Sequence, residues 1–160
     1  MAPSIISCYD IIMSENPRGS TANLTEADYR ALAEFRYQIR RFVHFSEEAA
    51  KQEGLEPQQH QLLLALCAFD PPGPTIGQLS ERLWIRPHSA VGLIDRMEER
   101  GLVERTHFGK DRREVRIRPT ADGRQKLRHL SSLHQRELLR TGPHLVEALR
   151  ALLDGVPGRE

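Results

Sequence analysis

The chain has 160 residues, the length of one ordinary domain. Apolar residues make up 39% and charged residues 28%, with 23 basic against 22 acidic side chains, which is typical of a folded globular protein and not of a disordered one. The apolar runs are too short to span a bilayer and the N-terminus lacks a signal-peptide pattern, so we expect a cytoplasmic protein. The two cysteines, Cys8 and Cys67, suit a reducing compartment.

The charges are distributed unevenly along the chain. Residues 23–70 carry 5 basic and 8 acidic side chains, whereas residues 82–118 carry 10 basic and 6 acidic ones. A concentrated basic stretch in a near-neutral protein suits a polyanionic partner, although a solvated charged face would show the same count. The sequence motifs around these charges therefore have to distinguish a polyanion-binding surface from a solvated charged face.

The first half of the chain predicts a tail and two helices. Residues 1–22 are rich in small polar residues and proline, so we expect a flexible tail or one that docks on a partner through its isoleucines. Thr25 can cap a long helix that carries an apolar stripe and ends at Gly54. Pro57 starts a second helix that is apolar nearly all round, so we expect it to be buried on most sides, with Cys67 as inert core.

The next segment predicts a helix-turn-helix. Residues 75–78 (Thr-Ile-Gly-Gln) form a capping box for a short helix that runs through Leu83. After a tight connection, Pro87 begins another helix, and Gly101 stops it. Two short helices separated by three or four residues are typical of this motif.

A basic hairpin and two more helices are predicted after it. Residues 102–105 and 115–118 alternate in the manner of strands, with a turn at residues 109–111 between them. Thr120 can then cap a long helix, and Pro143 predicts the start of a last one. The predicted fold class is therefore mainly α with a small β-hairpin wing: a winged helix-turn-helix flanked by N- and C-terminal helices.

This order of elements resembles the MarR family of bacterial winged-helix transcription regulators, over about residues 24–155. The most specific local match runs from Asp111-Arg112-Arg113 through Val115 and Ile117 to Thr120-Ala121-Asp122-Gly123. The family pattern there is Asp-x-Arg, alternating apolar residues, Leu-Thr and a Gly three residues on. Pro119 departs from it by standing where Leu is usual. Residues 93–103 match a second family stretch closely.

The resemblance implies one MarR-like domain over residues 23–160. Residues 57–118 would form its winged-helix DNA-binding lobe, and residues 24–50 and 120–155 its dimerisation helices. The apolar stripes of those terminal segments exceed what a winged helix needs, so we expect them to pair between two subunits. A C2 homodimer would then present two recognition helices to a pseudo-palindromic site.

In this resemblance the helix that starts at Pro87 reads the major groove of double-stranded DNA. Arg86 can reach guanine or phosphate, Ser89 can donate or accept a hydrogen bond, and Val91 offers a methyl surface to thymine. Gly92 stands where the family often has a longer polar side chain. The predicted reading set is Arg86, His88, Ser89, Val91 and Gly92.

The predicted wing contacts are Lys110, Asp111, Arg112 and Arg113. We expect Arg113 to enter the minor groove, where narrow A·T-rich stretches attract guanidinium groups. The resemblance implies that Asp111 holds this arginine by an ion pair. Lys110 and Arg112 would meet phosphates, which supply affinity without sequence information. For Arg116 and Arg118, in the second strand, contact with the DNA backbone and simple solvation remain equally open.

An effector pocket is expected where the helical layer meets the DNA-binding lobe, lined by Phe35, Ile39, Phe42 and His60. A small phenolic or otherwise apolar effector there could change the spacing of the recognition helices and weaken DNA binding. Plain core packing of these aromatic residues is the alternative.

Sequence motifs of enzymes and metal sites are missing from the chain. It has no Cys-x-x-Cys, His-Glu-x-x-His, Gly-rich phosphate loop or nucleophile elbow, so we expect neither an enzyme nor a cofactor. A metal site that uses His44 or His60 is conceivable, and His134 and Glu137 share one helix face. Cys8 lies in the tail, so redox sensing has no support from a motif.

Together these features predict a sequence-specific transcriptional regulator, a repressor that acts as a homodimer on a pseudo-palindromic operator and is released by a small effector. The alternatives are a winged-helix module that binds proteins without contacting DNA, and a metal- or redox-responsive variant of the regulator. The basic wing favours DNA binding, since a protein-interaction module has no need of Arg113 beside Lys110 and Arg112.

Overall fold

The computed structural model describes residues 25–107 and 115–154. In these two ranges the chain forms five helices and two strands. The predicted fold class, mainly α with one antiparallel hairpin, is confirmed. The elements are α1 (Glu26–Gln52), α2 (Pro57–Leu66), α3 (Ile76–Arg82), α4 (Pro87–Glu99), β1 (Val103–His107), β2 (Val115–Pro119) and α5 (Ala121–Asp154).

The helix ends follow the capping residues that the sequence contains. At α1 the Thr25 hydroxyl accepts a hydrogen bond from the backbone N–H of Asp28, and the Asp28 carboxylate accepts one from the Thr25 N–H at 2.7 Å. Thr75 and Gln78 form the same reciprocal pair at α3. Each box satisfies two backbone donors that a helix start otherwise leaves unpaired. The stop after α1 is Gly54, whose φ of 71° is unfavourable for other residues.

The hydrophobic core is centred on α2, which α3, α4, α5 and the hairpin surround. Its fully buried side chains come from every one of these elements, so the helix-turn-helix and the hairpin share one core with the terminal helices. Burying a side chain of this size stabilises the fold by about 1.5–3 kcal/mol. The members that are at most 2% exposed include Leu62, Leu63, Leu79, Ile94, Met97, Ile117 and Leu130.

The expectation that α2 is buried on most sides agrees with the structure, in which six of its ten residues are buried, but the expectation that Cys67 is inert core is wrong. Leu64 is 38% exposed, and Cys67, just after the helix, is also exposed. The apolar run covers the whole circumference of α2, but the neighbouring elements cover only part of it. The remaining face opens on a cleft described below.

The separate last helix predicted at Pro143 is not formed, because α5 runs continuously from Ala121 to Asp154. A proline inside a helix removes one backbone hydrogen bond and costs about 3 kcal/mol, but its φ is compatible with helix. Glu137, Thr141 and Ala148 are all buried and share one face across the proline. Packing of this face on both sides of Pro143 keeps the helix in one piece.

Among the residues in these ranges, no helix has both the length and the hydropathy needed to cross a membrane.

Candidate nucleic-acid interface

The connection between α3 and α4 is a tight turn held by backbone hydrogen bonds. The N–H of Trp84 donates to the Glu81 carbonyl and that of Ile85 to the Ser80 carbonyl, each at 3.1 Å. Trp84 adopts a φ of 54°, a left-handed conformation that is uncommon for a bulky side chain. The turn therefore sets the direction in which α4 leaves α3, as a helix-turn-helix requires.

Helix α4 has one buried and one solvent-facing side. Its buried residues are Ala90, Leu93, Ile94 and Met97, which repeat at helical spacing. Pro87 occupies the first turn, where its missing N–H costs nothing. The helix is thereby anchored along its whole length, and its other side remains available for a ligand.

The predicted reading residues lie on the solvent-facing side of α4. Arg86, His88, Ser89 and Val91 are exposed, and Gly92 is half-buried at the edge of that side. Arg86 is the N-cap residue, and no side-chain capping bond occupies it. The structure thus brings the five residues together at the start of one helix, which is the part that meets base edges in a docked recognition helix.

Arg96 is a cationic residue on α4 that the sequence reasoning left out. Its Nη1 lies 3.5 Å from the place that a Cβ on Gly92 would occupy, so its guanidinium lies beside the glycine. The signal was present in the sequence, because positions 92 and 96 are four apart and neighbours on a helix surface. Because Gly92 has no side chain, the guanidinium of Arg96 can lie close to the helix surface at this position.

Arg105 joins the hairpin to α4. Its guanidinium forms ion pairs with Asp95 and Glu98 of α4, and its backbone N–H donates to the Glu98 carboxylate at 3.1 Å. The strand and the helix therefore move together. The sequence reasoning did not find this contact, because the residues that make it are seven and ten positions apart in different elements.

The hairpin pairs β1 with β2 in antiparallel register, from Val103 opposite Pro119 to His107 opposite Val115. Val103 and Ile117 face the core at 2% and 0% exposure. This confirms the two predicted strands. The predicted turn and wing residues, Lys110, Asp111, Arg112 and Arg113, lie outside the described part of the chain.

Arg116 and Arg118 bond to their own chain. Arg116 donates from Nη1 to the Gly73 carbonyl at 3.0 Å, and Arg118 donates from Nε to the Pro72 carbonyl at 2.9 Å. These contacts tie β2 to the proline-rich loop between α2 and α3. Simple solvation therefore does not describe these arginines, and a contact with the DNA backbone remains a prediction.

The junction between hairpin and α5 explains the Thr-x-x-Gly spacing. The Thr120 hydroxyl donates to the Gly101 carbonyl at 2.6 Å and accepts from the Gly123 N–H at 3.1 Å. A Cβ on Gly123 would lie 2.0 Å from the Leu102 carbonyl oxygen. Only glycine fits at this approach of α5 to the start of the hairpin.

A cleft of about 1000 Å³ lies between α1, α2 and α5, and we call it the histidine cleft. Of the four predicted pocket residues, Phe42 and His60 line it, whereas Phe35 and Ile39 do not. His134 of α5 lines it too and stacks on His60, with ring centroids 4.8 Å apart. The other lining residues are Ser46, Gln61, Leu64, Cys67, Leu127, Arg128, Ser131, Ser132, Gln135, Leu138 and Leu139.

Burial keeps the two stacked histidines uncharged. It lowers the pKa of His60 to about 4, helped by repulsion from His134. Burial also lowers the pKa of His134, while a backbone hydrogen bond to Ser46 acts in the opposite direction. Both rings are therefore neutral near pH 7.

The histidines considered for a metal site have other partners or stand apart. His60 stacks on His134, and the Glu137 carboxylate accepts three hydrogen bonds from Arg140. Within residues 25–107 and 115–154, no three His, Cys, Asp or Glu side chains are placed to hold a metal ion.

Comparison with known proteins gives three matches that agree. A sequence model described as MarR family matches residues 53–114, the span from the end of α1 to the wing. The HTH-type transcriptional repressor MdtR of Bacillus subtilis is 29% identical over 105 residues, which are 58% of this chain and 66% of that protein. A MarR family protein from Bacillus stearothermophilus is 26% identical, with a TM-score of 0.63 over 73% of this chain and 81% of its own.

A structure with DNA shows the same fold. The MepR–DNA complex of Staphylococcus aureus superimposes with a TM-score of 0.57 over 75% of this chain and 91% of MepR, at 17% identity. The family match covers residues 53–114, which include the helix-turn-helix and β1, and these structural matches cover 73% and 75% of the chain. The chain is therefore similar in sequence to MarR family regulators across its helix-turn-helix, and similar in fold over about three quarters of its length.

Proposed function

We propose that the chain is a sequence-specific DNA-binding regulator of transcription that acts as a homodimer on a pseudo-palindromic operator. The observation that carries this proposal is α4 itself. One side of it is buried in the core, and the other presents Arg86, His88 and Ser89 at its start. A helix of this kind fits the major groove of B-DNA, which is about 12 Å wide.

Arg86 and Arg96 supply positive charge on the same helix. Both are exposed, and within the described residues no ion pair involves either of them. Arg86 at the helix start can reach a base edge or a phosphate, whereas Arg96, beside Gly92, is placed to meet a phosphate. Arg105, by contrast, forms ion pairs with Asp95 and Glu98, and these contacts hold the hairpin against α4.

The terminal helices support a dimer. Ten of the thirteen large apolar side chains that are exposed among the described residues lie on α1 and α5, at 39% to 75% exposure. Many exposed large apolar side chains on two helices that pack together are typical of an interface. They are Tyr29, Leu32, Tyr37, Ile39 and Val43 on α1, and Leu138, Leu139, Val146, Leu149 and Leu153 on α5.

The remaining parts of the proposal concern regulation. MdtR is described as a repressor, and we propose the same sign of action for this chain, in the cytoplasm. The histidine cleft lies between the terminal helices and α2 of the DNA-binding lobe. An effector bound there would therefore contact both the terminal helices and the lobe. A ligand that favours one relative position of these parts would change the separation of the two α4 helices and hence DNA affinity.

Fluorescence anisotropy with labelled DNA from the promoter of the chain's own gene tests the DNA-binding proposal. We expect tighter binding to this DNA than to a random duplex, and a decline of affinity with salt. Arg113→Ala should weaken operator binding by about 1–3 kcal/mol. Lys110→Ala should weaken both duplexes about equally and reduce the salt slope by about one counterion per subunit.

The control is Glu47→Gln on α1, a half-buried residue far in the sequence from the helix-turn-helix, which should leave both affinities unchanged. If neither the promoter nor the random duplex binds the folded dimer, DNA regulation is wrong and the protein-interaction module is left. If both wing variants bind as the parent does, the wing has no part in recognition.

A further inference from the structure

Residues 53–56 join α1 to α2, and we call them the α1–α2 link. Helix α1 is one of the terminal helices that the proposed function assigns to the dimer, whereas α2 belongs to the DNA-binding lobe. The elements of that lobe pack on one another around α2. The conformation of the link therefore helps to set where the lobe lies relative to α1.

Arg100, the C-cap residue of α4, bridges the two ends of this link. Its Nη2 donates to the Gly54 carbonyl at the end of α1, and its Nη1 donates to Oε1 of Gln59 in the first turn of α2, both at 2.6 Å. Gln59 is only 4% exposed, and its Oε1 also accepts from the Glu56 N–H at 3.0 Å, which holds the acceptor in place. One guanidinium thus clamps both ends of the link, as the rigid fork of arginine donors allows.

Helix α5 is tied to the same link. Lys126 donates from Nζ to the Glu53 carbonyl at 2.8 Å, and Nε2 of His129 lies 3.2 Å from the Glu53 carboxylate. The last carbonyls of a helix lack partners within the helix and carry partial negative charge, so basic side chains suit them. Side chains from α4 and α5 therefore converge on the end of α1.

The space beside these contacts is a cavity of about 540 Å³. Six of its seven lining residues are polar or charged, and empty space provides no dispersion contacts that would resist a movement. The polar contacts of the link, and not close apolar packing, therefore hold the lobe against α1 at this place. The lining residues are Glu53, Arg100, Leu102, Asp122, Gln125, Lys126 and His129.

A small movement at the link would be amplified at the other end of α4. Arg100 follows the last residue of this helix, whereas Arg86, His88 and Ser89 lie at its start. A helix of 13 residues is about 20 Å long. A tilt of the lobe by about 10° would displace the start of α4 by about 3.5 Å, which is close to the axial rise of one base pair.

We propose that Arg100 is a positioning residue for operator recognition. By clamping the α1–α2 link it fixes the distance between the two α4 helices of the dimer, and hence the spacing of the half-sites that the dimer accepts. In this role it contacts no base, so it determines the spacing of the half-sites and not their sequence. This role rests on the proposed function and adds a specificity-determining residue to it.

Selection from a pool of duplexes with a randomised core of about 30 base pairs, long enough for two half-sites one helical turn apart, tests the proposal. The full-length parent should select two half-sites at a single spacing. Arg100→Lys should select the same half-site sequence at more than one spacing, because one ammonium does not reproduce the fork that reaches both acceptors. The substitution keeps the positive charge, so general attraction to DNA is preserved.

Anisotropy with defined duplexes measures the size of the effect. One base pair is added or removed between the selected half-sites, and the parent's preference for the original spacing is compared with that of the variant. This preference should fall about tenfold in Arg100→Lys, as the loss of about one hydrogen bond of the clamp allows. Affinity for a duplex with a single half-site should change by less than about twofold, since the residues that read the bases are untouched.

Two further variants separate the clamp from a general effect of substitution. Lys126→Met removes the tie from α5 and should also broaden the accepted spacing. Arg124→Lys is the matched control, because Arg124 is exposed near the start of α5 and donates to the Pro119 carbonyl, outside the link. It should keep the parental spacing.

Parental spacing selectivity in Arg100→Lys, or several spacings selected by the parent, would overturn the proposal. An equal loss of affinity for every duplex, including the single half-site, would overturn it too, because Arg100 would then only stabilise the fold. Urea unfolding checks that Arg100→Lys is folded, and if it is not, Lys126→Met decides by the same measurements. A folded parent that selects no half-sites refutes the proposed function, whereas a selective parent with unchanged variants refutes the positioning role alone.

Discussion

His88 and Ser89 are the residues at the start of α4 whose substitution should change sequence preference. Both are exposed on its solvent-facing side. His88→Ala and Ser89→Ala should each relax the preference for one or two bases of the half-site by about 1–3 kcal/mol, because base-edge contacts discriminate by that amount. Arg96→Ala should instead weaken operator and random DNA alike, as loss of a phosphate contact does. Selection from a duplex pool with a randomised half-site measures the first effect and anisotropy the second. An unchanged selected sequence for both variants would contradict the prediction.

His60 should make the stability of the protein depend on pH. Its native pKa of about 4 lies below the value of 6.5 for an unperturbed histidine, so the unfolded chain binds more protons between these values. Stability is therefore fully present above pH 6.5 and falls as the pH decreases toward 4. His60 alone should remove about 2 kcal/mol between pH 7 and pH 5, and His134, shifted in the same direction, adds to it.

Urea unfolding at pH 7 and pH 5, at one protein concentration, measures this dependence. The free energy of unfolding should change less between pH 7 and pH 5 in His60→Phe than in the parent. In His144→Phe it should change as much as in the parent. The burial of the stacked pair would be refuted if His60→Phe and the parent lost the same stability between the two pH values.

Between elements, Gly123 is the residue that decides how closely α5 approaches the hairpin. Gly123→Ala should destabilise the fold by about 2–3 kcal/mol, because its Cβ would overlap the Leu102 carbonyl oxygen and the backbones would have to separate. The matched control is Gly142→Ala on the same helix, where no atom lies within 4 Å of the added Cβ. That change should stabilise the helix by about 0.5–1 kcal/mol. Urea unfolding compares the two, and similar effects of both substitutions would contradict the close approach.

The hairpin is joined to α4 and to the loop before α3 by side-chain contacts. Arg105 of β1 pairs with two carboxylates of α4, and Arg116 and Arg118 of β2 hold the loop that precedes α3. These partly buried, charge-assisted contacts are stronger than exposed ones. These contacts fix the two strands relative to α3 and α4.

On the scale of the whole molecule, the exposed apolar face of α1 and α5 should be covered by a second subunit. Light scattering at micromolar concentration should then give twice the 18.3 kDa of one chain. Leu139→Glu should shift the mass toward the monomer, since Leu139 is 75% exposed on that face and a carboxylate buried there would lack a partner. Gln125→Glu, an exposed position near the start of α5, is the control and should leave the mass unchanged. A parent mass near 18.3 kDa would refute the dimer.

The sequence by itself determined the local structure of this protein. Capping residues such as Thr25 and Thr75, the prolines at positions 57 and 87, and Gly54 and Gly101 place helix starts and stops through interactions within a few residues. The 3.6-residue spacing of apolar side chains then shows which side of α4 is buried, and hence which residues face solvent. These signals sufficed for the order of the elements and for the exposed side of α4.

The tertiary structure alone decided the features that depend on neighbours distant in the sequence. An apolar run does not show which of its sides another element will cover, so the exposure of Leu64 and Cys67 could not be predicted. Pro143 is a local signal for a break, but packing on both sides of it overrides that signal and α5 continues. The stacking of His60 on His134 joins residues 74 positions apart, because α2 and α5 meet only when the core forms. Local interactions specify elements, whereas the cleft and its stacked histidines arise from how those elements pack.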